Sequence, residues 1–275
     1  MKKAIFLILL NLFSLNAMLL AEKKIIIDKS LDKYFEQKKV FGTFILTSLD
    51  KSIKIANNEL YNTQYTPAST FKIPNTIIAL ESEVIKDENE IIKWDGVERW
   101  LKSWNQDTDL KMAMQNSTVW FYQELARRVG KEKMQSYLKK IEYGNKNING
   151  GIDKFWLSGD LKISPKEQID FLRKVYLNNF KGISKRSIDI TKAIMLRDST
   201  NEYKIRAKTG WFGSGDYVGW YVGWVETKDN TYFFATCIEP FIDSKTQKYI
   251  ISDDEFTKAR IDITYDILRE FKIIK

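Results

Sequence analysis

An antiparallel sheet built from both chain ends, with flanking helices and an inserted all-helical part, is the α+β architecture this 275-residue sequence predicts. Three observations predict it. Strand-like runs occur between residues 42 and 56 and again between 203 and 238; helical periodicity fills the stretch from about 67 to 197; and the chain closes on an amphipathic helix.

The elements follow in order. Asp28–Lys38 reads as a short helix with Leu31, Tyr34 and Phe35 on one side. Gly42–Ser48 and Ile53–Ala56 are strand-like, and Ser48-Leu49-Asp50-Lys51 between them predicts a hairpin. Helical patterns cover Ile73–Glu83, Trp100–Lys102, Val119–Val129, Lys131–Lys140, Pro165–Leu177 and Ile188–Met195. Ser164-Pro165-Lys166-Glu167 is a strong helix start, with a Ser cap, Pro first and Glu third. Strands resume at Tyr203–Thr209, Tyr217–Glu226 and Thr231–Ile238, and Thr227-Lys228-Asp229-Asn230 turns the second into the third. Asp254–Phe271 places Phe256, Ile263, Ile267 and Phe271 on one helical face. Residues 22–275 therefore form one folded unit, with a sheet part near 22–66 and 198–275 and a helical part near 67–197.

Composition narrows the function. The apolar content of 44% supports a real core, so the chain is not disordered. The net charge of +8 comes from interleaved charges without a long basic block or a nucleic-acid motif, which describes a solvated basic surface rather than a DNA or RNA binder. Residues 1–21 have the layout of a secretory signal peptide, in which Lys2 and Lys3 precede a short apolar stretch, with Ala17 or Ala21 as the last residue before the cut. An uncleaved anchor is the alternative. Either way the rest of the chain is expected outside the cytoplasm, in the periplasm. Cys237, the single cysteine, reads as a buried thiol in an apolar run.

The chain contains no histidine. Ser-His-Asp and Cys-His mechanisms are thereby excluded, as is a His-built zinc site, and no metal is expected. A general base must be a carboxylate, a lysine, a tyrosine or something made from them. Ser-x-x-Lys places Oγ and Nζ on one helical face within bonding reach. It occurs four times, at Ser30–Lys33, Ser48–Lys51, Ser69–Lys72 and Ser136–Lys139. Three of these have polar surroundings that leave the lysine protonated. Ser69–Lys72 is flanked by apolar residues at a helix start, where burial lowers a lysine pKa and free N–H groups can hold an oxyanion. An ordinary helix start is the competing reading. Pro74 predicts a tight or irregular first turn. A second element, Lys208-Thr209-Gly210-Trp211, ends a strand-like run, and such an edge suits an extended carboxylate substrate; a strand ending in a Gly turn is its alternative.

Together the two elements resemble the penicillin-recognising serine acyltransferases, the β-lactamases and penicillin-binding proteins. Ser199-Thr200-Asn201, nine residues before Lys208, comes too late to be the Ser-x-Asn element of class A enzymes and the peptidases. Ser117-Thr118-Val119 looks instead like the Ser-x-Val element of class D β-lactamases, and Tyr143-Gly144-Asn145 and Trp156-Leu157 look like its Tyr-Gly-Asn and Trp-Leu elements. The Glu-x-x-Leu-Asn element of class A is missing. Five elements in order identify a resemblance to class D that spans nearly the whole chain after residue 21.

The resemblance implies hydrolysis of β-lactam antibiotics through an acyl intermediate on Ser69. It places a carbamate, formed from CO2, on Lys72 as general base for both half-reactions, so that CO2 or bicarbonate is the only accessory species. Phe71, Val119 and Leu157 are the implied pocket walls, and the Trp156 indole is the implied donor to the carbamate. Ser69 and Trp211 N–H groups form the implied oxyanion hole, and Ser117 and Lys208 the proton relay to the lactam nitrogen. Ser117, Thr209, Gly210, Trp211 and Arg260 are the implied substrate contacts, with a surface arginine as the alternative for Arg260. Two rivals share the resemblance. A β-lactam sensor domain stays acylated and carries a large membrane domain upstream, and a small penicillin-binding peptidase would lack the Ser-x-Val and Trp-Leu elements. Substrate spectrum and oligomeric state are not legible in the sequence.

Overall fold

The computed structural model describes residues 24–213 and 217–275. Residues 1–21, read as a signal peptide with Ala17 and Ala21 at its possible cuts, lie outside the described residues, as do Ser214 and Gly215.

The chain order is β1 (Ile26–Ile27), α1 (Asp32–Gln37), β2 (Val40–Ser48), β3 (Lys54–Ala56), α2 (Lys72–Glu81), β4 (Ile91–Ile92), β5 (Thr108–Asp109), α3 (Leu110–Gln115), α4 (Val119–Val129), α5 (Lys131–Ile141), α6 (Pro165–Tyr176), α7 (Lys185–Ile194), β6 (Leu196–Ser199), β7 (Tyr203–Phe212), β8 (Val218–Thr227), β9 (Thr231–Pro240) and α8 (Asp253–Glu270). Seven strands form one sheet in the order β1-β3-β2-β9-β8-β7-β6. Both chain ends supply it, as predicted, and most helices lie between. Every pairing is antiparallel except β1 on β3, which is parallel.

Strand periodicity sorts the core into two layers. Phe44, Leu46, Tyr221, Val225, Phe234 and Ile238 meet Phe256, Ala259, Ile263 and Ile267 of α8. Ile45, Val222, Trp224, Phe233 and Ala235 face the helical part on the other side. With both faces covered, β8 is buried at its first eight positions and reads as a continuous apolar run.

Local chemistry sets the ends. Ser164 and Glu167 form a reciprocal capping box at α6 with Pro165 first, and Ser252 and Glu255 do the same at α8. In the hairpin turn Asp50 accepts from Ser52 N at 3.0 Å, and Ser48 Oγ accepts from Ile53 N at 2.9 Å. The predicted helical turn at Trp100–Lys102 is displaced to a 3-10 turn at Lys102–Trp104. Helix α3 and strand β6 were not expected. The first has only six residues, too few for a period, and the second is a polar, bulged edge strand.

Candidate active site

A 3-10 turn, Ala68–Phe71, leads into α2, so Pro74 falls in the first turn, where its missing N–H costs no helical bond. Thr70 seals the turn by donating to Pro67 O through N at 3.1 Å and through Oγ1 at 2.7 Å. Ala68 takes φ +49°, a strained conformation for an alanine, immediately before Ser69. Lys72 Nζ donates to Ser69 Oγ at 2.7 Å. Lys72 is fully buried, and burial lowers its pKa to about 7. The lysines of the other three Ser-x-x-Lys pairs, Lys33, Lys51 and Lys139, are exposed. Burial thus singles out Ser69–Lys72.

Aromatic rings build the pocket around Lys72. Phe71 stacks on Trp156 and takes Tyr143 and Phe155 edge-on. Val119 and Leu157 are half-buried. Tyr122, one turn beyond Val119 on α4, puts its ring 5.4 Å from Lys72 Nζ. Its spacing from Val119 was the available signal, and sequence reasoning missed it. Trp156 Nε1 is buried and donates to no acceptor among the described residues.

The Tyr-Gly-Asn and Trp-Leu elements support this pocket together. Asn145 N donates to Lys162 O at 2.9 Å, Asn145 Oδ1 accepts from Lys162 N at 3.1 Å, and Asn145 Nδ2 donates to Asp160 O at 2.8 Å. Gly144 has φ +49°, and a Cβ there would lie 2.1 Å from Lys162 O, so only glycine fits. The segment after Trp156 is thereby stitched to the turn that carries Tyr143.

Ser117 follows α3 at φ +55°, the left-handed position of a helix C-cap, and Thr118 N closes the cap on Ala113 O at 3.0 Å. Lys208, on β7, donates through Nζ to Ser117 Oγ at 3.0 Å, to Thr209 O at 2.9 Å and to Thr209 Oγ1 at 3.3 Å. Burial, then the Lys72, Arg197 and Arg260 charges, push the Lys208 pKa well below the usual lysine range. Strand β6 pairs with β7 only as far as Arg206, so Lys208–Phe212 keep one strand edge unpaired by β6. Trp211, on that edge, pairs across β8 with Gly219. A Cβ on Gly210 would lie 3.0 Å from Pro67 O and 3.1 Å from the Thr70 side chain. Glycine therefore lets the strand approach the Ser69 turn.

Arg260 is not a surface residue. It lies on the apolar face of α8 between Phe256 and Ile263, is 8% exposed, and donates NH1 to Gly210 O at 2.6 Å. Burial lowers its pKa only to about 10, so it stays charged at neutral pH. Its Nε is buried without an acceptor among the described residues.

The site joins a buried Ser–Lys pair, a second Ser–Lys pair and an unpaired strand edge, which defines the penicillin-recognising serine acyltransferase class. The sequence profile of the penicillin-binding protein transpeptidase domain matches residues 32–249. The chain is 41% identical over 249 residues to β-lactamase OXA-48 of Klebsiella pneumoniae, covering 90% of this chain and 89% of that protein. It is 46% identical over 212 residues to β-lactamase OXA-10 of Pseudomonas aeruginosa, covering 75% and 79%. The crystal structure of a class D β-lactamase from Sebaldella termitidis superposes with a TM-score of 0.83 at 39% identity, covering 91% and 99%. The chain belongs to the class D β-lactamases.

Proposed function

We propose that this enzyme hydrolyses β-lactams through an acyl intermediate on Ser69, with carboxylated Lys72 as the base. The 2.7 Å bond from Lys72 Nζ to Ser69 Oγ inside a fully buried pocket carries the reading. A lysine with a pKa of about 7 is substantially neutral at physiological pH, as carboxylation requires. CO2 adds to that amine, one proton leaves, and the resulting carbamate supplies an anionic base. The orphaned Trp156 Nε1–H is a fitting donor for it. The buried rings keep the group dry.

Ser69 Oγ loses its proton to carboxylated Lys72 and attacks the lactam carbonyl. The Ser69 and Trp211 N–H groups hold the developing oxyanion. The C–N bond breaks as Ser117 passes its proton to the departing nitrogen and is reprotonated through Lys208 with the proton taken from Ser69, which leaves the Lys72 carbamate anionic again. Thr209, Gly210 and Arg260 line the edge that receives the substrate carboxylate, with the free guanidinium donors of Arg260 as its charge partner. Carboxylated Lys72 then takes a proton from water, the resulting hydroxide attacks the acyl carbon, and the bond to Ser69 Oγ breaks as the carbamate returns that proton to Oγ.

Residues 1–21 act as a secretion signal that delivers residues 22–275 to the periplasm. Among the described residues no helix is long and apolar enough to cross a membrane.

Multiple-turnover hydrolysis of a chromogenic cephalosporin tests the function. Sustained turnover is expected from an enzyme of this kind, whereas a single stoichiometric burst identifies a sensor or a peptidase. Ser69→Ala abolishes covalent labelling by penicillin without unfolding the protein; an ordinary acyl adduct in its intact mass refutes the nucleophile.

A further inference from the structure

Arg197 belongs to none of the elements that carry the family resemblance. It sits half-buried on edge strand β6, and among the described residues its donors go only to main-chain carbonyls. NH2 donates to Met114 O at 2.9 Å, NH1 to Gln115 O at 3.0 Å and Nε to Ala207 O at 3.3 Å. No carboxylate pairs with it among the described residues. Met114 and Gln115 are the last two residues of α3, just ahead of Ser117, and Ala207 immediately precedes Lys208.

One planar cation thus bridges the two backbone segments whose next functional side chains form the 3.0 Å Lys208–Ser117 bond. The contact is physically favourable, because the terminal carbonyls of a helix lack intrahelical donors and carry partial negative charge. It is also needed. Ser117 holds φ +55°, and such a residue keeps its conformation only where its surroundings over-determine it. Trp104 Nε1, donating to Asn116 O at 3.0 Å, fixes the turn from one side, and Arg197 ties it to β7. A fork of three donors in one plane suits this task, and a lysine cannot reproduce it.

We infer that Arg197 is a positioning residue that sets the Ser117–Lys208 hydrogen bond and, through it, proton delivery to the lactam nitrogen during acylation. The inference rests on the relay proposed for Ser117 and Lys208. It extends that relay to a residue that touches neither the substrate nor the reacting atoms. Burial is the main reason that the Lys208 pKa lies well below the usual lysine range, and the charges of Lys72, Arg197 and Arg260 add to it.

The test resolves acylation from deacylation by rapid-quench intact-mass time courses with a penicillin, in wild type, Arg197→Ala, Arg197→Lys and Lys208→Ala. Loss of the bridge in Arg197→Ala is expected to slow acylation at least about tenfold and to change deacylation by less than about threefold. Arg197→Lys is expected to fall between that variant and wild type, because one ammonium reaches only some of the carbonyls. Wild-type acylation in Arg197→Ala, or equal slowing of both steps, overturns the inference. If Arg197→Ala does not fold, the same two outcomes in Arg197→Lys overturn it. Lys208→Ala separates the inference from the reading beneath it. If Lys208→Ala acylates at the wild-type rate, the relay fails and the role of Arg197 falls with it. If Lys208→Ala is slow while Arg197→Ala is not, the relay stands and only the role of Arg197 is lost.

Discussion

The Trp156 indole lies nearly parallel to the Phe71 ring, with centroids 5.2 Å apart and an interplanar angle of 26°, and Phe155 meets it edge-on at 4.9 Å. Rings held from two sides cannot turn freely, so the direction of Nε1–H is fixed by packing. A buried donor left unpaired costs about 1–3 kcal/mol. Trp156 Nε1 is such a donor among the described residues, and a carbamate on Lys72 would recover that cost.

Trp156→Phe keeps a flat ring against Phe71 and removes only the donor. Activity is expected to fall about tenfold, following the loss of one hydrogen bond to a charged group, and added bicarbonate should restore part of it. Initial rates against bicarbonate concentration, in wild type and variant, provide the measurement. Equal rates without bicarbonate would remove Trp156 from the mechanism.

Arg260 offers a second check. Its remaining donors are proposed to face the substrate carboxylate, and hydrogen bonds to charged partners contribute about 1.5–3 kcal/mol. Arg260→Ala should therefore raise KM about 10- to 100-fold for a penicillin, with a smaller change in kcat. A substrate whose carboxylate is esterified should lose this sensitivity. An unchanged KM for the free acid would return Arg260 to a purely structural role.

Gly144 tests the support beneath the pocket. An alanine there would combine φ +49° with a Cβ only 2.1 Å from Lys162 O. A loss of about 2 kcal/mol or more follows, which corresponds to roughly 4–8 °C in Tm for a chain of this size. Thermal melting of Gly144→Ala reads it directly. A melting temperature equal to wild type would show that the Asn145–Lys162 stitch can yield.

What was legible in the sequence depended on period and on local chemistry. Val119–Val129 forms helix α4 with the predicted bounds, and the Ser164 cap forms as predicted, because both signals are local. The α+β order also followed, since strand and helix periods differ. Strand β1 pairs through two residues, too few to show a period. The Ser69–Lys72 pair was singled out from four by its apolar neighbours, and the buried Lys72 agrees. Arg260 came only from the family resemblance, with a surface arginine as the alternative, although its place between Phe256 and Ile263 puts it on the buried face of α8. Arg197 was missed because its partners are distant in sequence and no motif joins α3 to β6 before the chain folds, whereas Tyr122 was missed although its spacing from Val119 placed it one turn on along α4.

Lys72 carries the prediction on which the mechanism depends. Burial holds its folded-state pKa at about 7, below the usual lysine value. Above pH 7 the amine is largely neutral and can take up CO2; below pH 7 protonation gives an ammonium that cannot. Activity should therefore fall as pH drops through about 7, and bicarbonate should recover part of it by driving the remaining neutral fraction to carbamate. Carbon-13 bicarbonate should give a carbamate resonance in wild type at pH 8 that weakens toward pH 6. Lys72→Ala should lack the resonance and lose turnover. Acylation would slow, because Ser69 loses the group that accepts its proton, but deacylation would nearly stop, because water is the poorer nucleophile. An adduct with a good acylator should then persist for hours in the intact mass. If wild type shows no carbamate resonance and ignores bicarbonate after degassing at low pH, another residue is the base. In that case membership of the class D family would stand, and the role of Lys72 as the base for both half-reactions would not.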